Sequence, residues 1–447
     1  MAAQKQLLPK KFWLILTFLL FALIPLTVLT SLNQRDNRTH AATPNTISVN
    51  GNNYFLLGTN YPWSSYANDF GKNGFGDYGV HTDTGSGPYN SAFTDFKNKG
   101  VHVVRWWVFG DGRAGIVFDP SGTPTGIDSS VFQNIDAAVA IAKKNNIYLN
   151  LVFLDFSFFN NPANLGSGVI AGGHTNVFTD TTKMTSLINN VVNPIMTRYS
   201  NEPYIFSWEA MNEPEWSISD IPQPAVNSGL VPVTMQQFWS YGSQFSNLVH
   251  SKTKSLVTVG SATLKWNKIW TNSFATSKGL PALNLDYYQT HYYTWMDCCT
   301  TNDPTLGVTT WSPMTQSAAA LNLDKPLVVG ESDDHAASCG GDCETKVLNN
   351  GYAGYWPWSY WGGDGLTIDW QKFTAWEGSH ASLVRITPPT SGSPKPGDIN
   401  HDGAVNSADL ALLISTWGSS TDLRADINND GKIGSGDLAL LISHWGT

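Results

Sequence analysis

Charge is scarce in this chain. Only 14% of its 447 residues are Asp, Glu, Lys or Arg, and 26 basic side chains stand against 35 acidic ones, for a net charge of −9. That balance offers no broad basic surface, so it argues against nucleic acid or an anionic membrane surface as the main partner. Cysteine is scarcer still. There are 4, and their spacing matches no usual zinc pattern, which leaves a metal site as the weaker reading beside disulfides. Aromatic rings, by contrast, are plentiful, with 18 Trp and 16 Tyr. Most must be core, but rings in such number also suit a cleft that stacks against a neutral polymer of sugars.

Two apolar, β-prone runs each deliver a carboxylate to their end. The run from Tyr204 to Met211 leads into Asn212 and Glu213, and Pro214 then forces the chain out of regular structure. The run from Lys325 to Gly330 leads into Glu331. A buried, unpaired carboxylate is costly to a fold, yet the same burial raises its pKa toward that of a usable general acid. Two such glutamates suit glycosidic cleavage, where one protonates the leaving oxygen and the other attacks the oxocarbenium-like centre.

With these residues in place, the chain over roughly residues 54–361 resembles the cellulase-like enzymes of glycoside hydrolase family 5. The resemblance implies a (β/α)8 barrel and a retaining mechanism, with Glu213 as acid/base, Glu331 as nucleophile and no cofactor for the chemistry. It implies that Arg105, in Val103-Val104-Arg105-Trp106-Trp107, holds the nucleophile. A plain structural salt bridge is the other reading of that Arg. Asn212 would bond the sugar 2-hydroxyl, Tyr293 would donate to Glu331, and His291 would support the substrate or Glu213. Trp358 would floor the sugar site, with Trp356 and Trp361 competing for that role. One departure stands out: many family members place a His after the third strand, where this chain has Leu154-Asp155-Phe156-Ser157. Asp155 is expected to take over the sugar contacts. The implied activity is endo-hydrolysis of a β-1,4-linked polysaccharide of plant type, a mannan or a glucan. An exo-acting β-glycosidase and a non-catalytic glycan-binding barrel are the alternatives.

The barrel also has support from the pattern alone. Short apolar segments at 54–60, 101–109, 147–155, 204–212, 255–260, 285–291, 326–330 and 352–358 alternate with helix-length stretches. In 130–144, for example, Ile135, Ala138, Val139 and Ala142 recur at helical spacing. Such alternation implies an α/β fold with a parallel sheet closed into a TIM barrel over 44–386, with function at the carboxyl ends of the strands. The Gly/Asn/Asp-rich loop 68–87 is expected to wall the cleft. Ahead of the barrel, Lys5, Lys10 and Lys11 precede an apolar run from Phe12 to about Leu32, so residues 1–42 read as a signal peptide or signal anchor. The protein is therefore expected outside the cell, at a membrane only if that segment stays uncleaved. Cys298 and Cys299 follow the sixth strand, and Cys339 and Cys343 the seventh. Cross-loop disulfides are within reach, with three connectivities open.

A Pro/Ser/Thr/Gly linker over 387–397 leads to a duplicated unit in 398–447. Its first copy places Asp398, Asn400, Asp402, Asn406 and Asp409 at loop positions one, three, five, nine and twelve. The second places Asp426, Asn428, Asp430 and Asp437 at one, three, five and twelve, with Gly434 at nine. Oxygen ligands at these positions, with Gly at six for the sharp turn, follow the EF-hand rule for Ca2+. Each loop feeds an apolar helix. The pair resembles a type I dockerin, a small all-α module that folds on Ca2+ and docks onto cohesin domains. The resemblance implies contacts at Ser407-Ala408 and Ser435-Gly436, which differ between the copies.

Overall fold

A computed structural model describes residues 46–301, 303–362, 364–389, 397–399, 404–418, 425–428, 430 and 432–446. The amino-terminal segment 1–42, linker residues 390–396, and the ligand candidates Asn400 and Asp402 lie outside the described residues.

Eight strands close into one barrel: Leu56–Asn60, Val103–Trp107, Tyr148–Asp155, Ile205–Asn212, Leu256–Ser261, Tyr288–Tyr292, Leu327–Ser332 and Gly354–Tyr355. Each is parallel to its neighbours in chain order, and the eighth pairs with the first. Both faces of such a sheet are covered, which is why these segments read as continuous apolar runs. Helices fill the outer layer. Val131–Asn145 buries Ile135, Ala138, Val139 and Ala142 and stops at Asn146, which turns into the left-handed region with φ 54°. Met235–Lys252 begins with a capping box, in which Thr234 and Gln237 each accept the other's backbone N–H. Among the described residues, no helix is long and apolar enough to cross a membrane.

A short hairpin precedes the first strand. Ile47–Val49 pairs with Asn52–Tyr54 through an Asn50-Gly51 turn in which both residues have positive φ, 51° and 80°. Its apolar side chains pack with Leu56, Val103, Tyr148 and Phe206, which begin four of the barrel strands. The hairpin thus plugs the barrel at the strands' amino-terminal ends. Further up, the interior turns polar: Tyr287 Oη is hydrogen-bonded to Ser207 Oγ at 2.9 Å and to Asn150 Oδ1 at 3.2 Å.

The cysteines depart from the cross-loop expectation. Cys339 and Cys343 form a disulfide within a single loop, where Gly340 and Gly341, with φ of 66° and 86°, turn the chain back on itself. Cys298 and Cys299 are free, with their sulfurs 3.3 Å apart.

In the carboxyl-terminal module, helices Ser407–Ser415 and Ser435–Ser443 pack around Ile399, Val405, Leu413, Ala425, Ile433 and Leu441. The repeat contributes matching residues to this core, Val405 with Ile433 and Leu413 with Leu441.

Candidate active site

The site is built where the sequence delivers polar residues to the carboxyl ends of the strands. Pairing register aligns them: Arg105 lies opposite Asn60 and Asn150, Asn212 opposite Asp155, and His291 opposite Glu331.

Glu213 leaves the fourth strand in a left-handed conformation, φ 46° and ψ 47°, before Pro214 opens a short 3-10 turn. Its N–H is tied to Gly260 O at 2.7 Å. The carboxyl group is gripped on both oxygens: Oε1 lies 2.7 Å from His291 Nδ1, and Oε2 accepts from Trp216 Nε1 at 2.8 Å. Burial pushes this carboxyl up to about 8. The Trp216 bond works against the rise and the nearby Asp155 adds to it. Glu331 accepts from Arg105 Nη1 at 2.6 Å and from Tyr293 Oη at 2.5 Å. Burial raises it as well, while His291, Arg105 and the Tyr293 hydroxyl favour its ionised form. Tyr293 itself is held well above the usual phenol value, so it remains a donor. Carboxylate oxygens of Glu213 and Glu331 and a ring nitrogen of His291 lie within 4.8 Å of one another.

His291 is fully buried, and desolvation takes its imidazole down to about 4, so the ring is neutral at ordinary pH. Asn212 is locked at both ends of its amide. Oδ1 accepts from Arg105 Nη2 at 2.7 Å, and Nδ2 donates to Asp155 Oδ2 at 2.7 Å. That contact revises the expectation for Asp155. Its Oδ1 is taken by Ser157 N at 2.8 Å, so the carboxylate orients Asn212 and caps the turn after the third strand. Of the three competing tryptophans, Trp356 is fully buried and donates to Leu56 O, which removes it as a sugar platform. Trp358 packs edge-on against Trp107, with ring centroids 5.6 Å apart, and its Nε1 donates to the Asp364 carboxylate. Trp361 is 48% exposed.

Four further side chains belong to this cluster, though the sequence reading did not single them out. Asn60 donates to Gly330 O and Trp356 O, both at 2.9 Å, and accepts from Arg105 Nη1 at 3.1 Å. Glu215 is buried two residues beyond Glu213, fixed by Ser261, Trp270 Nε1 and the Ala262 N–H, and burial lifts it to about 7. Trp216 holds Glu213. Glu209 holds Arg105, and a charge in mid-run between Trp208 and Ala210 was the available signal for it.

Residues 45–364 match the family model for cellulase (glycosyl hydrolase family 5), and residues 396–444 match that for the dockerin type I domain. A mannan endo-1,4-beta-mannosidase of Mytilus edulis is 26% identical over 341 residues, covering 70% of this chain and 85% of that protein. One from Cryptopygus antarcticus is 28% identical over 344 residues, covering 69% and 81%. The solved structure of the blue mussel beta-mannanase superposes with a TM-score of 0.61 at 23% identity, covering 78% of this chain and 98% of that one, a likeness of fold. With a match over most of its length, the chain is a glycoside hydrolase and belongs to the cellulase family, glycosyl hydrolase family 5.

Proposed function

We propose that this enzyme hydrolyses internal β-1,4 linkages of a mannan with retention of configuration. The observation that carries the mechanism is the pair of carboxyl groups on Glu213 and Glu331. One oxygen of each lies within 4.8 Å of one oxygen of the other, which supports both carboxyls acting on a single glycosidic bond. Mannan as the polymer rests on the relatives, both of which carry that activity in their names.

Neutral Glu213 protonates the departing glycosidic oxygen while ionised Glu331 attacks the anomeric carbon to form a glycosyl ester. Water then attacks that carbon, gives its proton to Glu213 and frees Glu331. Arg105 and Tyr293 keep Glu331 aimed and ionised. His291 keeps Glu213 in place, Asn212 meets the sugar 2-hydroxyl, and Trp358 lies beneath the ring. Early-time NMR of the cleavage of β-mannan should show the β-anomer first. An α-anomer first, or activity confined to cellulose, mixed-linkage glucan or xylan, overturns the reading.

Because the reaction needs protonated Glu213, kcat/KM should decline as pH rises through about 8. The Trp216 bond favours the ionised form, so Trp216→Phe should move that alkaline limb upward by up to ~1 unit. A pH–rate profile checks this, and an unmoved limb contradicts the assignment of Glu213.

For the dockerin module we infer Ca2+ at Asp398, Asn400, Asp402, Asn406 and Asp409 in the first loop and at Asp426, Asn428, Asp430 and Asp437 in the second. The described residues fit. Asp409 and Asp437 are buried and fold back to accept loop N–H groups, from Ile399 and Asn406 and from Ile427 and Gly434. The donor set is all oxygen, as a hard cation requires. When bound, the ion neutralises these carboxylates and closes the loops. Such a module supports attachment to a cohesin-bearing partner outside the cell. Ile414 with Trp417 and Ile442 with Trp445 give each repeat an exposed apolar pair suited to that contact.

A further inference from the structure

Arg105 has no donor to spare. Nε bonds Glu209 Oε2 at 2.8 Å. Nη2 bonds Glu209 Oε1 at 2.6 Å and Asn212 Oδ1 at 2.7 Å, and Nη1 bonds Asn60 Oδ1 at 3.1 Å and Glu331 Oε1 at 2.6 Å. These bonds occupy all five N–H groups that a guanidinium offers. Glu209 takes one whole edge in a bidentate clamp, leaving the opposite side to face Glu331 and Asn212. The clamp is itself braced. Glu209 Oε2 also accepts from Asn150 Nδ2 at 2.9 Å and from Gln289 Nε2 at 2.8 Å. The fifth strand makes room for it with Gly260, where any Cβ would stand 2.3 Å from Glu209 Oε1.

We propose that Glu209 is the positioning residue of the nucleophile: it fixes the plane of Arg105 and shares that cation's charge, so that Glu331 is aimed without being stripped of its nucleophilic character. This rests on the assignment of Glu331 and Glu213 above. A carboxylate paired alone with a buried guanidinium becomes a weak base. Here two carboxylates divide one cation. Burial acts to raise Glu209, but Arg105 overrides it and takes Glu209 below the usual carboxylate value, so Glu209 stays charged. The charged and titratable groups facing Glu209 are Arg105, His291, Glu213 and Tyr287. Those facing Glu331 are His291, Arg105, Glu213 and Tyr293.

Glu209→Gln keeps the size and removes the charge. Arg105 then acts on Glu331 alone, so Glu331 stays ionised to lower pH and the acidic limb of kcat/KM moves down by about one unit. Glu213 loses a repelling neighbour, so the alkaline limb moves down with it. The loosened Arg105 lowers kcat by ~100-fold with KM little changed. Glu209→Asp keeps the charge but shortens the reach, so both limbs stay while kcat falls by ~10-fold. The substrate is whichever polysaccharide the wild-type enzyme cleaves, and circular dichroism gives the folded fraction. Wild-type kcat and unmoved limbs in folded Glu209→Gln overturn the proposal, as does a loss of rate that only tracks unfolding. Should Glu209→Gln fail to fold, wild-type kcat in Glu209→Asp overturns it instead. Failure of the underlying assignment reads differently: Glu331→Ala would then still release sugar.

Discussion

Replacing Glu331 by alanine should lower the rate of sugar release by several powers of ten and leave the barrel folded. The rate should fall because the variant loses the proposed nucleophile, which Arg105 and Tyr293 hold in place. The fold survives because Arg105 keeps its bidentate partner Glu209, so truncation leaves no uncompensated buried cation. Reducing-end release by equal amounts of folded wild type and variant measures the effect. Activity within tenfold of wild type would remove Glu331 from the mechanism.

Chelation has an effect of comparable size, confined to the other module. Excess EDTA should melt helices Ser407–Ser415 and Ser435–Ser443 while hydrolysis of a soluble oligosaccharide continues unchanged. The module's described core comprises only 6 buried apolar residues, too few to hold so small a unit without help. A cation present at ~1,000 times its Kd contributes about 4 kcal/mol to the folded state. The half-exposed Trp417 and Trp445 report the change by fluorescence. Hydrolysis that falls in step with the fluorescence would mean that catalysis depends on the ion.

Much of this architecture could be read from the chain because barrel strands are coded locally. Each apolar run marks a strand wherever its neighbours lie, and the run before Pro214 ends where the fourth strand does. Contacts fixed by register were harder to read. Arg105 and Glu331 meet because the second and seventh strands both feed the same pit, and no local pattern in either segment says so. Asp155 shows the limit most clearly. The sequence exposed a departure from the family pattern, but only the pairing of Asn212 with Asp155 across the third and fourth strands tells where the carboxylate goes. The hairpin at 47–54 escaped because its strands are 3 residues long and partly polar, leaving Asn50-Gly51 as the one cue. Glu209 was hidden by proximity: the stronger signal of Asn212-Glu213-Pro214 lies a few residues further on.

The polar interior of the barrel has a consequence for anyone wishing to alter this enzyme. A hydrocarbon centre tolerates exchanges that keep its volume, since apolar contacts have no fixed direction. Here Tyr287, Ser207, Asn150, Gln289, Glu209 and Arg105 are linked by directional hydrogen bonds, which a substitution breaks outright rather than by degrees. Libraries aimed at new polysaccharides will therefore gain little below the mouth of the barrel. Room for variation lies in the loops that carry Tyr66, Trp295 and Trp361, whose rings reach solvent.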